Sequence, residues 1–344
     1  MRTQTTHQQP ATARRDRGRV HRSNLMSHVT SNALLDKALA YVSHRRQADG
    51  PNRSIWPLRH RWVQERARMR MALLSGTYRL EPLRVCGNRE GHRLTRRTAA
   101  DAVVLKALAW GLAEYVGAAV PECCTHLAGR GGLKGGVRAL QRALSSARTP
   151  WVLKSDVADY YASLDHSVLM QQWGAIVEDP RILDLLYQVI DRVEVRDGNY
   201  TAVGRGIAKG CPLSPLMGAL MLKSLDLHVP TGGVVIRYMD DWVFLTRTRA
   251  QLREVVRRMH RVLEGLGLRI AVAKTFIGRV ARGFDFLGYR FNAYGLLGCA
   301  EQTVHRFKER YRRLYEQGAS EGRLLVYVRR WWQWVTGGLE PAPA

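Results

Sequence analysis

Two adjacent aspartates, Asp240 and Asp241, stand between two apolar runs, residues 234–236 and 243–245. The runs are rich in β-branched and large apolar residues, so they predict two β-strands joined by a tight turn. That hairpin would hold both carboxylates at its tip. Two like charges this close repel each other unless a cation lies between them. Carboxylate oxygens favour a hard divalent ion, Mg²⁺ or Mn²⁺.

A third carboxylate, Asp156, follows the short apolar run 151–153, which predicts a neighbouring strand. Three carboxylates that clamp two metal ions suit in-line phosphoryl or nucleotidyl transfer. The alternative is a hairpin turn that contains aspartate for structural reasons, because Asp is common in turns. The Tyr-Met pair before the two aspartates, the apolar flanks and Asp156 together favour the catalytic interpretation.

The motif Tyr238-Met239-Asp240-Asp241 resembles the Y-x-D-D signature of reverse transcriptases. Residues 156–166 resemble the acidic motif that precedes it in group II intron enzymes, and the similarity runs in family order from about residue 78 to 289. The resemblance implies an α+β fold with right-hand polymerase architecture and an RNA-directed DNA polymerase. We expect a stand-alone bacterial enzyme without maturase or endonuclease extensions.

The resemblance also implies roles for individual residues. Two Mg²⁺ ions, with Mn²⁺ as the alternative, would be held by Asp156, Asp240, Asp241 and the backbone carbonyl of Val157. Lys274 would protonate the pyrophosphate leaving group. The nucleotide would contact Tyr161, Arg93 and Gly210, and the template and primer would contact Lys209, Pro212, Ser214, Tyr238, Leu287 and Gly288.

Two of these assignments have open alternatives. An aromatic residue at Tyr161 resembles a steric gate against the sugar 2′-hydroxyl and favours deoxynucleotides, whereas a core aromatic is the structural interpretation. Arg93 is one of several finger arginines that could grip the triphosphate or belong to a solvated loop. The others are Arg84, Arg89, Arg96 and Arg97.

Composition predicts a disordered basic tail at residues 1–30. The resemblance implies fingers at 31–150, a palm with an antiparallel sheet at 151–298 and a short helical thumb at 299–344, with part of 174–205 joining the fingers. Hydrophobic periodicity supplies most of the elements within them, and the resemblance supplies the hairpin. The expected helices are 31–45, 56–74, 99–116, 181–190, 214–225, 252–263 and two between 301 and 335, with strands at 78–85 and 268–272 and a hairpin at 284–289.

A glycine-rich stretch, residues 129–136, opens a further helix that extends to about residue 144. Backbone amides at such a helix start can bind phosphate, so a cradle for template phosphates and a flexible turn are both open. The spacing differs from G-x-x-x-x-G-K-[ST], which excludes a P-loop nucleotide hydrolase.

The charge indicates a polyanionic partner. Lys and Arg number 54 against 29 Asp and Glu, a formal charge of +25, which suits nucleic-acid phosphates. No apolar run approaches the roughly 18–20 residues of a membrane span, so a membrane protein is disfavoured. The five cysteines contain no C-x-x-C pair and fit a reducing compartment. We read the Cys123-Cys124-Thr125-His126 stretch as packing, with a metal site as the weaker alternative.

Three functions are consistent with these observations. The leading one is reverse transcription in the cytoplasm of a bacterium, within a retroelement-derived or phage-defence system, with an RNA template, a DNA or RNA primer, dNTPs and a dedicated non-coding RNA as partners. The alternatives are a catalytically inactive RNA-binding or chaperone protein on the same fold, and an RNA-dependent RNA polymerase.

Overall fold

Helices and strands are mixed along the chain, as expected for an α+β protein. The structure, a computed structural model, describes residues 25–50, 53–87, 93–146 and 149–339, and the side chain of Arg93 is outside this description. The helices are α1 Leu25–Val29, α2 Asn32–Arg45, α3 Ile55–His60, α4 Trp62–Leu74, α5 Ala99–Ala119, α6 Gly132–Ser146, α7 Tyr160–Ser163, α8 His166–Gly174, α9 Pro180–Ile190, α10 Ser214–Met221, α11 Lys223–Asp226, α12 Arg249–Gly265, α13 Glu301–Glu316 and α14 Glu321–Leu339. The strands are β1 Leu83–Gly87, β2 Arg93–Arg96, β3 Trp151–Asp156, β4 Val193–Arg196, β5 Asn199–Ala202, β6 Val234–Tyr238, β7 Asp241–Thr246, β8 Phe276–Arg279, β9 Phe284–Phe286, β10 Tyr289–Asn292 and β11 Gly295–Cys299.

A four-stranded antiparallel sheet of order β6-β7-β3-β8 carries the three aspartates. Its central strands β3 and β7 are buried because α12 packs on them from one side, while α6 packs on β6. Val152, Leu153 and Leu245 have no exposed surface. A strand that is covered on both faces reads as a continuous apolar run, which is the pattern that the sequence shows here.

Helix α5 is the centre of the helical core. It contacts α1, α2, α3 and α10. By length and composition alone α5 could cross a membrane, and half of its most apolar window is buried inside the protein. The expectation that no apolar run approaches such a length was therefore wrong. Packing among four helices accounts for the composition, because a helix buried on many sides is apolar all round.

The disordered tail expected at residues 1–30 was wrong for its last part, residues 25–29. Residues 1–24 lie outside the described residues, but Leu25–Val29 forms helix α1, which packs on α5. Leu25, Met26 and Val29 are buried, and a β-carbon added to Gly111 of α5 would lie 2.6 Å from Val29 Cγ2. Three apolar residues in a short basic segment are too few to show helical periodicity, so this contact was missed.

Two smaller sheets flank the central one. In the first, of order β2-β1-β4-β5, β1 pairs in parallel with β4, so residues 83–87 and 93–96 share a sheet with residues 193–202. The second, of order β11-β10-β9, leads into α13 and α14. Helix α14 packs on α6 and β11, where the hydroxyl of Tyr289 donates to the carbonyl oxygens of Trp334 and Val335 at 2.9 and 3.1 Å.

Three predicted elements differ in detail. The predicted strand 268–272 is reduced to one bridge, Ile270 with Val157, followed by a 3₁₀ turn Val272–Lys274. The predicted strand 78–85 starts only at Leu83. The helix predicted for 214–225 breaks at Leu222 into α10 and α11. At residues 268–272 single tertiary hydrogen bonds replace the regular strand: the amide of Ala271 donates to the carbonyl of Asp156 at 2.8 Å.

A buried ion pair ties β6 to α11. Arg237 Nη2 lies 2.5 Å from Asp226 Oδ2, and neither side chain has exposed surface. Arg237 also donates to the carbonyl oxygens of Ala219 and Met239 at 3.1 and 2.9 Å. Removal of one partner of such a pair is costly because it leaves an uncompensated buried charge.

We therefore expect Arg237→Met to lower the free energy of unfolding by about 3–5 kcal/mol, measured by urea denaturation. The double variant Asp226→Leu/Arg237→Met should recover part of this loss, because no unpaired charge then remains. Arg312→Met, which breaks an exposed pair with Glu316 at 2.8 Å, is the control and should cost less than about 1 kcal/mol. Equal losses for Arg237→Met and the control would contradict this account.

Candidate active site

The two adjacent aspartates lie at a tight hairpin turn, as predicted. Strand β6 ends at Tyr238, which pairs with Asp241 at the start of β7, so Met239 and Asp240 form a two-residue loop. Met239 has φ +57°. This left-handed conformation is uncommon for a residue other than glycine and is found preferentially at functional sites.

Strand pairing brings the third aspartate to the same place. Asp156 is the register partner of Asp241 across β3 and β7, and Cβ atoms of directly opposed residues lie about 4.5–5.5 Å apart. Asp156 and Asp241 are thus neighbours on one edge of the sheet, with Asp240 adjacent to Asp241 in the turn. The polymerase interpretation requires the Asp156 side chain to face the carboxylates of Asp240 and Asp241. The structure meets this requirement.

Two lysine ammonium groups reach these carboxylates. Lys274 Nζ lies 3.1 Å from Asp156 Oδ2, and Lys154 Nζ lies 3.1 Å from Asp241 Oδ1. The 3₁₀ turn that precedes β8 aims Lys274 at the site, and its side chain remains 60% exposed. Lys154 is largely buried and also donates to the carbonyl oxygen of Lys274 at 3.3 Å.

Burial and repulsion from neighbouring carboxylates raise the pKa values of Asp240 and Asp241. Burial raises the pKa of Asp241 to about 6, against the opposing effect of Lys154, and the charges of Asp156 and Asp240 add to the rise. Burial also raises the pKa of Asp240, with Asp156 as the next cause. A cation near these oxygens would relieve both effects.

The donor chemistry fits a hard divalent ion. Asp156 Oδ1 is buried and has no hydrogen-bond partner among the described residues, and carboxylate oxygens are the ligands that Mg²⁺ and Mn²⁺ prefer. Within residues 25–50, 53–87, 93–146 and 149–339, no three His, Cys, Asp or Glu side chains form a ready-made metal cage. The bridge with Ile270 fixes the backbone of Val157, the other expected ligand.

Tyr161 lies against the turn formed by Met239 and Asp240. Asp159, with φ +46°, turns the chain sharply after β3 into α7, which carries Tyr161. The Tyr161 hydroxyl donates to Met239 Sδ at 3.4 Å. Burial, and then the charge of Asp240, raises the pKa of Tyr161 to about 12. The ring is therefore a neighbour of the turn and a core side chain at once.

The predicted template loop approaches the smaller sheet of β1 and β2. Lys209 and Gly210 are exposed, and Gly210 has φ +85°. The Thr95 hydroxyl of β2 donates to the carbonyl oxygen of Lys209 at 3.3 Å. Pro212 is half-buried in the same loop.

The predicted template or primer contact of Ser214 is wrong. The Ser214 side chain is buried and donates to the carbonyl oxygen of Ala208 at 2.8 Å. The hydroxyl thus closes the loop that precedes α10 and does not face outward, so it is not available for a template contact. The expected helix start at Ser214 and Pro215 is confirmed.

Leu287 and Gly288 form the turn between β9 and β10, with φ +50° and +85°. The predicted hairpin is therefore confirmed. A β-carbon on Gly136 of α6 would lie 2.9 Å from Leu287 Cδ1, and one on Gly288 would lie 2.7 Å from Trp334. Close packing is thus one role of the glycine-rich stretch; its function as a phosphate cradle or a flexible turn stays a prediction.

The arginines that were predicted to lie in the fingers are only partly described. Arg89, Gly91 and His92 lie outside the described residues, as does the side chain of Arg93, whose backbone pairs with Gly87. Arg96 forms an ion pair with Asp49, and Arg97 donates to the carbonyl oxygen of Glu81 at 2.8 Å. Arg84 is exposed on β1.

Sequence analysis missed two residues that touch the site. Lys154 stands two positions before Asp156 on one strand, so the alternation of side chains places both on the same face; this spacing is a signal in the sequence. His126, in the stretch read as packing, accepts a hydrogen bond from the Met239 amide at 2.9 Å. No local pattern links two residues that far apart in the chain. Cys124 beside it is buried, as the packing interpretation requires.

A family model of reverse transcriptases, the RNA-dependent DNA polymerases, matches residues 119–291, just over half of the chain. Protein YkfC of Escherichia coli strain K12 is 27% identical, and the match covers 42% of this chain and 47% of YkfC. This chain therefore spans about half the length of that relative.

One of the similar solved structures, a telomerase, shares the fold. Apo telomerase from Candida tropicalis matches with a TM-score of 0.50 and 11% identity, over 69% of this chain and 52% of the telomerase chain. At this identity the likeness concerns the fold alone, and it agrees with the expected right-hand polymerase architecture. A chain of a partial Cas6-RT-Cas1–Cas2 complex matches with a TM-score of 0.44 and 19% identity, over 70% of this chain and 41% of that chain.

The family match contains all three aspartates, the turn that carries two of them and the hairpin at Leu287 and Gly288. The chain therefore belongs to the reverse transcriptase family of RNA-dependent DNA polymerases.

Proposed function

We propose that this chain copies an RNA template into DNA by extending a DNA or RNA primer with dNTPs through two-metal-ion nucleotidyl transfer. The observation that carries the proposal is the strand register, in which Asp156 is opposite Asp241 and Asp240 follows in the turn. A pseudoenzyme that only binds RNA has no need of clustered, repelling carboxylates, which argues against the inactive alternative.

Asp156, Asp240 and Asp241 would hold the ions, with the Val157 carbonyl as a further ligand. When bound, Mg²⁺ or Mn²⁺ supplies activation of the primer 3′-hydroxyl and charge stabilisation of the triphosphate. Lys274, exposed and within 3.1 Å of Asp156, would give a proton to the departing pyrophosphate. Lys154 would keep a positive charge beside Asp241 and so reduce the repulsion among the three carboxylates.

The surfaces around the site would hold the substrates. Lys209, Gly210 and Pro212 form an exposed or half-exposed loop beside β2, and we propose that it supports the templating base and the nucleotide together with Arg93. Tyr238, Leu287 and Gly288 would steady the primer end. The charge of +25 supplies affinity for backbone phosphates that does not depend on sequence.

The biological setting that we propose is cytoplasmic, in a bacterial retroelement-derived or phage-defence system, with a dedicated non-coding RNA as a further partner. Sequencing of the nucleic acid that copurifies with the protein tests this setting separately from the chemistry. A single enriched RNA would support a dedicated partner, and a sample of bulk cellular RNA would argue against one.

Loss of one aspartate should abolish extension. We expect Asp240→Asn and Asp156→Asn each to lower primer extension on an RNA template by at least about a hundredfold, with little change in template–primer affinity by fluorescence anisotropy. Asp165→Asn is the matched control: Asp165 caps α8 through the Ser167 and Val168 amides, and Asn caps a helix as well as Asp does. Extension by Asp240→Asn or Asp156→Asn at the wild-type rate would refute the site assignment.

Metal binding should weaken as the pH falls through about 6, the pKa to which burial raises Asp241, because a protonated carboxyl is a poor ligand. The sign for the metal-free protein is opposite. The raised pKa makes the folded state hold a proton that the unfolded chain releases, so the stability from this group is lost as the pH rises from about 4 to about 6.

Thermal unfolding of desalted protein with and without Mn²⁺, across about pH 4 to 8, checks both signs. Without metal, Asp241→Asn should gain stability over the wild type as the pH rises, since Asn mimics the protonated acid. With Mn²⁺ it should lose most of the metal-dependent stabilisation. Asp285→Asn, at an exposed position, is the control, and a wild-type curve that follows Asp241→Asn at every pH would contradict the assignment.

Tyr161 should govern the choice of sugar. We expect Tyr161→Ala to raise the ratio of rNTP to dNTP incorporation by about tenfold to hundredfold, measured by single-nucleotide extension, because the ring would no longer exclude the 2′-hydroxyl. Tyr161→Phe keeps the ring and should keep the selection. A wild type that prefers rNTPs would support the RNA-dependent RNA polymerase alternative instead.

A further inference from the structure

The polar groups of the Met239 backbone are each bound by a side chain that is not part of the turn itself. The amide of Met239 donates to His126 Nδ1 at 2.9 Å, and its carbonyl oxygen accepts from Arg237 Nη1 at 2.9 Å. With the Tyr161 hydroxyl on Sδ at 3.4 Å, three side chains hold the residue immediately before Asp240.

The backbone of the turn at Met239 is strained and needs these contacts. Met239 adopts φ +57°, and a left-handed conformation costs a non-glycine residue roughly 1–2 kcal/mol. The last pair of the hairpin is Tyr238 with Asp241, so the Met239 amide is beyond the strand ladder and needs another acceptor. Such strained residues persist where the surroundings over-determine them.

His126 is itself held rigidly. The segment that carries it runs parallel to β6, since the Arg237 amide donates to the Cys123 carbonyl and the Thr125 amide donates to the Arg237 carbonyl, both at 2.8 Å. The imidazole Nε2 lies 3.0 Å from the carbonyl oxygen of Pro215 at the start of α10. The Tyr238 ring meets the imidazole edge-on, with centroids 5.9 Å apart.

These partners define one state of the ring. A carbonyl oxygen only accepts and an amide only donates, so Nε2 carries the proton and Nδ1 is the acceptor. This is the neutral imidazole. Burial lowers the pKa of His126 to about 4, in agreement with that state near neutral pH. Protonation of Nδ1 would remove the acceptor that the Met239 amide uses.

We infer that His126 is a positioning residue, which holds the Met239 amide and thereby fixes Asp240 relative to Asp156. The inference rests on the proposed function, because the position of Asp240 matters only if Asp240 serves the chemistry. His126 would not touch the nucleotide, the metal ions or the reacting atoms. Its effect on the rate would pass through the turn, where a displacement of about 1 Å can cost a hundredfold.

Two isosteric variants separate this role from a general contribution to the fold. The Oδ1 of an asparagine takes the place of Nδ1, so His126→Asn keeps the acceptor for the Met239 amide. The Nε2 of a glutamine takes the place of the imidazole Nε2, so His126→Gln keeps the bond to Pro215 and loses the one to Met239. Both lose the ring, so a role in packing alone would affect them alike.

The first measurement uses no substrate and no metal. Hydrogen exchange is measured on peptides that cover the turn at Met239 and Asp240. The Met239 amide should be about as protected in His126→Asn as in the wild type. In His126→Gln it should exchange at least about tenfold faster. Melting temperatures of the two variants, taken first, set a temperature at which both are folded. Equal exchange in the two variants would overturn the inference, whether or not the protein is a polymerase.

The second measurement is primer extension on an RNA template. We expect kcat to be at least about tenfold lower in His126→Gln than in His126→Asn, with similar KM values for template–primer. If the wild type extends primers and the two variants have equal kcat, the positioning role is wrong. If the wild type does not extend, the proposed function fails while the exchange result stands by itself.

Discussion

Electrostatic repulsion among three carboxylates is the constraint on which the site depends. Pairing of β3 with β7 brings Asp156 opposite Asp241 in a sheet whose central strands are buried, and burial strengthens every charge interaction there. Burial, and then the charges of the neighbouring carboxylates, raise the pKa values of Asp240 and Asp241. Lys154 and Lys274 provide positive charge from the same sheet and from the turn before β8. A site of this kind is unfavourable without a cation and suited to bind one.

The residues around the turn at Met239 and Asp240 keep the three carboxylates close together. Arg237 satisfies a buried carboxylate of α11 and a carbonyl of the turn with one guanidinium group. The left-handed Met239 is fixed by contacts from the 123–126 segment, from β6 and from α7. Close glycine packing at Gly136 and Gly288 joins α6 and α14 to the neighbouring hairpin. Stability and geometry of the site therefore come from the same side chains.

Much of this could be read from local patterns. The hairpin around Asp240, the strand that ends at Asp156 and the amphipathic helix predicted at residues 181–190 each have a short-range signal in composition or period. The errors fell where that signal is weak. Leu25–Val29 is too short to show a period, residues 268–272 bond to a loop through single contacts, and the inward turn of the Ser214 hydroxyl depends on a carbonyl six residues away.

The sequence by itself determined which residues can do the chemistry and on what kind of element each lies, because side-chain type and periodicity act over a few neighbouring residues. Only the tertiary structure decided which of them meet. Asp156 reaches Asp241 through strand register, Lys274 reaches Asp156 through a 3₁₀ turn, and His126 reaches Met239 across 113 positions of the chain. Contacts over such separations depend on how the whole core packs, and no local pattern in the chain records them.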